Sequence, residues 1–268
     1  MVVFPNSKIN LGLNVVERRA DGYHNLETVF FPVSLPDVLE VLPATKTQLE
    51  ISGIHVEGRL ETNLVYRAWE LLKEDFGIPP VQIFLHKVIP MGAGLGGGSS
   101  DGAFMLKLLN RMFELQLDSE RLKGYAVRLG ADCPFFIDNL PAFATGIGDR
   151  LNPVKLDLSL FKLIIVKPPV SVNTGMAYKS IVPMRPAKSV TEIVSQPLET
   201  WRGKLSNDFE KPVFEMFPEI MAVRDKLYEK GALYAAMSGS GSAVYGLFTK
   251  EPADLQESFP SDYFIFSD

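Results

Sequence analysis

The chain is poor in the residues that build covalent or metal-held scaffolds. It has a single cysteine, Cys133, so no internal disulfide can form, and this fits a reducing compartment. Its three histidines, His24, His55 and His86, have no second cysteine to join, which argues against a Cys/His zinc site. No apolar run approaches the roughly 20 residues needed to cross a bilayer. The opening segment, MVVFPNSKIN, is interrupted by Pro5 and Lys8 and lacks the apolar stretch of a signal peptide. Basic residues do not predominate: 27 Lys and Arg stand against 32 Asp and Glu, giving a net charge of −5 and no basic surface for nucleic acid. Low-complexity tracts and internal repeats are also missing. The expectation is a soluble cytoplasmic protein that works on neither nucleic acid nor membranes.

What is present is enough apolar material for a full core. The 268 residues are 46% hydrophobic and 22% charged, which suits one large domain or two ordinary ones. The first 60 or so residues read as strands, with Leu26–Val33 and Val38–Leu42 rich in branched and aromatic side chains. A helix is predicted over Asn63–Phe76, where Leu64, Val65, Ala68, Trp69, Leu72 and Phe76 form one stripe, and Gly77 ends it. A strand at Val81–Val88 leads into the glycine-rich run Gly92–Gly98, and a second helix opens at Ser99. A third helix fits Ser119–Leu129, and Phe143–Asp149 reads as a strand and turn. The second half restarts with a strand at Leu163–Val166. Val182–Pro197 reads as a loop with room for a short helix. Helices over Asp208–Phe217 and Glu219–Glu229 are split by Pro218, and strands at Leu233–Met237 and Ala243–Phe248 flank the small-residue turn Ser238–Ser242. Strands and helices intermingle without strict alternation, so the fold class is α+β. A soft boundary near residue 150 gives domains of 1–150 and 151–268.

The most informative motif is Pro90–Ser100, PMGAGLGGGSS. Five glycines let the backbone turn tightly and approach a ligand. The helix that follows directs free N–H groups and the positive end of its dipole at the loop, so strand, turn and helix make an anion site. A Walker loop fails because no lysine follows the glycines. Gly92, Gly94 and Gly97 satisfy the dinucleotide spacing G-x-G-x-x-G, but no strand ending in an acidic residue follows at the required distance; Glu114 falls in the second helix. A mobile surface turn would spend destabilising glycines to no purpose. The remaining reading is a kinase phosphate loop: Pro90, Gly94, Leu95 and Gly96, then Ser99 and Ser100, resemble the corresponding loop of the GHMP kinases.

Two further segments support that resemblance. Pro5–Leu13, PNSKINLGL, is similar to the first motif of the family, with Lys8 and Asn10 at its lysine and asparagine. Met237–Gly246, MSGSGSAVYG, is similar to the third. Within the family, ADGYH at Ala20–His24 and LGADCP at Leu129–Pro134 resemble the branch that acts on a cytidine-diphosphate-linked methylerythritol. Asn207–Glu210 resembles a further segment of it. The resemblance implies two domains, an N-terminal one like ribosomal protein S5 domain 2 and a ferredoxin-like C-terminal one. It implies ATP-dependent phosphorylation of an alcohol on a small cytidyl substrate, with Mg²⁺. The rival readings are a GHMP kinase of the homoserine or mevalonate type, which shares the three loops, and a nucleotide-binding protein without catalysis, against which Lys8 and Asp132 both argue.

For individual residues the resemblance and the local sequence pull in different directions. Asp132, two positions before Pro134, reads locally as a helix N-cap; the resemblance makes it the catalytic base. Lys8 reads locally as a solvated lysine at a strand edge; the resemblance sets it beside Asp132 as a stabilising charge. Asn10 reads as a turn residue or a substrate contact. Tyr23 and His24 read as an exposed turn or as a platform for a pyrimidine. Tyr178, in the segment Thr174–Ser180, would either pack in the core or close a sandwich on cytosine with Tyr23, with Thr174 facing the substrate. Asn63 is a helix N-cap that also matches a position near adenine, and Lys87 is a strand-end charge or an adenine-side contact. Pro90, Gly92, Gly94, Leu95, Gly96, Gly97, Gly98, Ser99 and Ser100 would hold the nucleotide. Ser100 is the candidate Mg²⁺ ligand, with ATP and water supplying the rest. Cys133 reads as a small buried residue and not as a nucleophile.

Overall fold

The structure is a computed structural model that describes residues 1–56 and 58–268. In chain order, the first half contains strands β1 (Val2–Val3), β2 (Asn6–Arg18), β3 (His24–Pro36), β4 (Val38–Pro43) and β5 (Gln48–Gly53), then helix α1 (Leu64–Phe76), strand β6 (Val81–Lys87) and helices α2 (Gly97–Met112), α3 (Ser119–Leu129) and α4 (Phe135–Asp138). The second half continues with β7 (Ala142–Thr145), β8 (Arg150–Pro153), β9 (Lys162–Lys167), α5 (Thr174–Lys179), α6 (Val190–Val194), α7 (Glu210–Met216), α8 (Pro218–Glu229), β10 (Tyr234–Met237), β11 (Val244–Phe248) and β12 (Phe264–Ser267). The predicted α+β class holds. Among the described residues, no helix is long and apolar enough to cross a membrane.

The chain forms two compact units that are not contiguous in sequence. One comprises residues 1–7, 34–91 and 96–140; the other comprises residues 8–33, 92–95 and 141–268. The division predicted near residue 150 cuts the chain once, whereas each compact unit gathers three segments.

The first unit has one sheet in the order β1-β4-β6-β5, in which β4 runs antiparallel and β5 parallel to β6. Leu39, Val41, Leu49, Ile83 and Leu85 are buried and recur at alternate positions, as expected of strands with one covered face. Helices α1 and α2 pack on each other. Gly102 permits their approach, since a Cβ there would lie 3.0 Å from Leu64 Cβ. Asn63 caps α1 by accepting the Val65 N–H, and Gly77 closes it in the left-handed region at φ 63°.

The second unit holds two sheets, β10-β11-β9-β12 and β2-β3-β7-β8. The first is antiparallel, with Ile164, Val166, Val244 and Phe248 packed in one cluster with Val213, Ile220, Val223 and Leu227 of α7 and α8. Pro218 stands at the first position of α8, where its missing N–H costs nothing. The short helix allowed for in Val182–Pro197 is α6, capped by Ser189. Two helix starts move by two residues. α2 begins at Gly97, two residues earlier than predicted, because Gly97 and Gly98 already adopt helical geometry and Gly96 is the N-cap. α7 begins at Glu210, because Asn207 and Asp208 are held by β2: Leu13 N–H donates to Ser206 O and Asp208 N–H to Leu13 O.

Glu210 is a mostly buried charge in this unit. Its Oε1 accepts the Met237 N–H at 2.8 Å, and Arg224 is its nearest cation, at 3.8 Å. Burial pushes its carboxyl up to about 7, against the opposing pull of the Met237 N–H and Arg224. Between the ordinary glutamate value and about 7 the folded state therefore binds more protons than the unfolded chain, so this group's contribution to stability falls as pH rises through that window. Glu210→Gln keeps the acceptor for Met237 and removes the titration. In melting experiments the variant should gain on the parent chain steadily from pH 4.5 to pH 7.5. A difference in Tm that does not change with pH would contradict this account.

Candidate active site

The chemistry-bearing residues of the first unit gather around the start of α2. Just before the glycine loop, Lys87 ends β6 with its ammonium buried and paired to two carboxylates, Asp37 Oδ2 and, at 2.7 Å, Asp101 Oδ2. It is therefore not a solvated strand-end charge, and it also lines the cavity beside the helix start. Asp101 sits in the first turns of α2, and burial, reinforced by Asp37 and opposed by Lys87, raises its carboxyl to about 7. Beside it, Ser100 Oγ is fully buried and has no hydrogen-bond partner among the described residues. A buried hydroxyl left unsatisfied costs stability, so an orphan at the start of a helix whose N–H groups face the loop suits a ligand of phosphate or hard-cation character. Next to this helix start lies a cavity of about 240 Å³ lined by Ile51, Leu85, Asn63, Met91 and Gly98 among others. It is smaller than the roughly 300–1,000 Å³ of sites that enclose a whole drug-sized ligand, so it suits one flat ring of a larger molecule.

Asp132 lies in the turn 131–134 ahead of α4, half-buried. The local expectation that it is the helix N-cap is not met: the N-cap of α4 is Pro134. Cys133 is buried, and burial pushes its thiol up to about 12, which removes it as a nucleophile.

The second unit carries the lysine. Lys8 is 3% exposed, so the solvated strand-edge reading is wrong. Its ammonium donates to Asn10 Oδ1 and, at 3.0 Å, to the carbonyl oxygen of Gly94. Asn10 is a buried strand residue and not a turn residue; its Nδ2 donates to Thr28 Oγ1 at 3.0 Å. The same Gly94 carbonyl accepts the Ser238 hydroxyl at 2.8 Å, and Ser238 Oγ in turn accepts the Asn10 N–H. Ser238 and Gly239 are themselves held by Asn207, whose Nδ2 donates to the carbonyls of Met237 and Gly239, both at 2.8 Å. The first and third sequence motifs and Gly94 of the glycine loop thus meet in one hydrogen-bonded knot.

The aromatic residues are arranged differently from the predicted sandwich. Tyr23 is 61% exposed. The ring stacked on Tyr178 is His24, at 4.8 Å between centroids and 14° between planes, while Phe209 meets Tyr178 edge-on. Burial, followed by the charge of Arg18, lowers the His24 pKa, so its imidazole is neutral near pH 7 and offers one donor and one acceptor. Thr174 opens α5, and its hydroxyl lies 2.7 Å from Ser240 Oγ. Sequence reasoning missed Asp37, Ser238 and Asn207 as members of these networks. Asp37 follows Pro36 between two strands and has no local mark; the SGSGS turn did signal Ser238.

Comparison with known proteins adds the following. The family model for the GHMP kinases N terminal domain matches residues 63–146, and that for the GHMP kinases C terminal matches residues 190–264. The 4-diphosphocytidyl-2-C-methyl-D-erythritol kinase of Bacteroides fragilis (strain YCH46) is 54% identical over 267 residues, covering 98% of this chain and 97% of its own. That of Parabacteroides distasonis is 50% identical, with 99% and 98% covered. A crystal structure of 4-(cytidine 5'-diphospho)-2C-methyl-D-erythritol kinase superposes with a TM-score of 0.82 at 36% identity, covering 100% of this chain and 98% of that one. A mevalonate kinase structure superposes with a TM-score of 0.75 at 15% identity, a likeness of fold alone.

The knot makes Gly94 and Gly92 unequal although both have positive φ. A Cβ on Gly94 would land on the Ser238 carbonyl oxygen, whereas one on Gly92 meets nothing within 4 Å. Gly92→Ala should cost about 1–2 kcal/mol, the penalty for a left-handed L-residue. Gly94→Ala should cost clearly more, roughly 3 kcal/mol or above, because backbone must also move. Chemical denaturation of the two variants decides this, and equal losses would count against the knot.

Proposed function

The chain belongs to the GHMP kinases, and within them to the 4-diphosphocytidyl-2-C-methyl-D-erythritol kinases; from that premise we propose that it transfers the γ-phosphoryl group of ATP to the 2-hydroxyl of 4-diphosphocytidyl-2-C-methyl-D-erythritol, a step of non-mevalonate isoprenoid precursor synthesis. The observation that carries the reading is the buried Lys8 ammonium on the Gly94 carbonyl, which fixes a cation at the phosphate loop. The single cysteine, buried and free, is in keeping with work in the cytoplasm.

Each group has a part in the transfer. The adenine occupies the cavity beside Asn63, and the phosphates lie along the Gly94–Ser100 backbone and the N-terminus of α2. Asp132 accepts the proton of the substrate hydroxyl as that oxygen bonds to the γ-phosphorus and the bond from phosphorus to the bridging β,γ-oxygen breaks. Lys8 stabilises the negative charge that grows on the attacking oxygen. Asn10 holds Lys8 and, with Thr174, lies along the polyol. Mg²⁺ accompanies the ATP. The orphaned Ser100 hydroxyl is a hard oxygen donor of the type this ion takes and would hold it, with phosphate and water as its other donors. When bound, the ion neutralises charge on the β- and γ-phosphates.

Tyr23, His24 and Tyr178 receive the cytosine. A base held between Tyr23 and Tyr178 takes the place that His24 occupies against Tyr178, and the displaced neutral imidazole meets the edge of the base. Two measurements test the assignment. With the cytidyl substrate, Asp132→Asn should lower kcat by roughly 10²–10⁴ with little change in Tm, since Asp132 is not the N-cap of α4. Lys8→Met should lower kcat too, and the double variant should lose less than the product of the single losses. Separately, Tyr23→Ala should raise KM for the cytidyl substrate about tenfold, the loss of a stacked and packed ring, and leave KM for ATP in place. Efficient phosphorylation of homoserine or mevalonate, with the cytidyl compound ignored, would refute the branch assignment.

A further inference from the structure

The glycine loop has no regular structure of its own between Pro90 and Gly96, so its shape depends on how it is held, at Gly94 and at its two ends. Both ends run into one buried charge cluster within the first unit. On the incoming side, Asp37 Oδ1 accepts the N–H groups of Val88 (2.5 Å) and Ile89 (2.8 Å), the last residues before the loop. Asp37 Oδ2 takes the Lys87 ammonium. On the outgoing side, the same ammonium reaches Asp101 Oδ2 at 2.7 Å in the first turns of α2. Lys87 also lies directly under the helix start, since a Cβ on Gly97 would be 3.3 Å from its Nζ. Asp37 itself is fully buried and is anchored away from the loop by its own N–H, which donates to Pro5 O at 2.9 Å. The exposures of the three side chains are 0%, 1% and 3% for Asp37, Lys87 and Asp101, so no water screens the cluster.

Stability does not explain this arrangement. A buried lysine between two carboxylates carries a large desolvation cost, and apolar residues of similar volume usually serve a core as well or better. What charge provides here is direction: a carboxylate with acceptors on both sides joins two backbone N–H groups to an ammonium, and the ammonium joins that carboxylate to a helix. We propose that Asp37, Lys87 and Asp101 form a positioning clamp that fixes the two ends of the phosphate loop relative to each other, with Asp37 as the key member although it lies more than fifty residues before the loop in sequence. Asp37 acts on nucleotide binding through the loop, Lys87 and Asp101 also line the cavity assigned to adenine, and none of the three is assigned to the alcohol substrate or its cytidine. This rests on the kinase reading given above.

Asparagine separates a clamp from a filler at Asp37. An amide presents an acceptor on one side only, so Asp37→Asn satisfies either the Val88 and Ile89 N–H groups or the Lys87 ammonium, but not both. At Asp101 the same change keeps one oxygen for Lys87, whereas Asp101→Leu removes it. The experiment measures the Kd of a non-hydrolysable ATP analogue, the separate KM values for ATP and the cytidyl substrate, and Tm. Asp37→Asn should weaken analogue binding and raise KM for ATP about tenfold or more, the range for losing a hydrogen bond to a charged group, with KM for the cytidyl substrate within about twofold. Asp101→Leu should also raise KM for ATP, and Asp101→Asn should raise it distinctly less. A folded Asp37→Asn with unchanged ATP constants overturns the clamp, as does an equal rise in both KM values. Should Asp37→Asn fail to fold, the Asp101 pair decides: equal KM values for ATP in the Leu and Asn variants overturn the proposal. If the unsubstituted chain binds no ATP analogue, the kinase reading falls and the clamp with it; if it binds tightly and the variants do likewise, only the clamp falls.

Discussion

The carbonyl oxygen of Gly94 is the point on which the hydrogen-bonded knot of the second unit depends. It accepts the Lys8 ammonium and the Ser238 hydroxyl at once. A carbonyl can do this because it has two lone pairs, but both donors must approach a backbone atom closely. That approach explains why residue 94 has no side chain: its α-carbon is pressed against the backbone of Ser238 and Gly239. Asn207 then holds the Ser238–Gly239 turn from behind, and the Tyr245 hydroxyl, donating to the Asn10 carbonyl at 2.9 Å, ties β2 to β11. The position of one cation is therefore set by segments more than two hundred residues apart.

Charge is used inside this protein to fix direction. Lys8 and Lys87 are both buried, yet each is surrounded differently. Among the partners of Lys8 are the neutral oxygens of Asn10 and Gly94, which orient it. Lys87 is held by two carboxylates, which tie strand to helix. Composition alone could not have told these two lysines apart.

Much of the fold was legible because its signals are local. The α1 stripe with its Asn63 cap and Gly77 stop, the Pro218 break between α7 and α8, and the strands flanking the SGSGS turn all follow from periodicity and punctuation. β2 was harder. Residues Ser7–Val15 are all buried, and the segment includes Lys8, Asn10 and Asn14, so neither alternation nor unbroken hydrophobicity marks it. The start of α2 was placed late because glycine is a poor helix former on any local scale, whereas here Gly97 must be glycine to let Ile89 and Lys87 lie against the helix. The Asp132 cap was expected from a good local pattern, Asp followed by Pro, and the turn before α4 took another form.

The sequence by itself determined the class of fold, the glycine-rich loop, the family and the residues of its motifs, because each is written in short stretches where spacing and residue type carry the physics. Tertiary structure alone decided the rest. It paired Lys87 with Asp37 and Asp101, set the Lys8 ammonium on the Gly94 carbonyl, and laid His24 against the face of Tyr178. The reason is that a charge or an aromatic ring acquires its role from what lies within a few ångströms of it, and those neighbours come from segments whose distance along the chain leaves no trace in any local pattern.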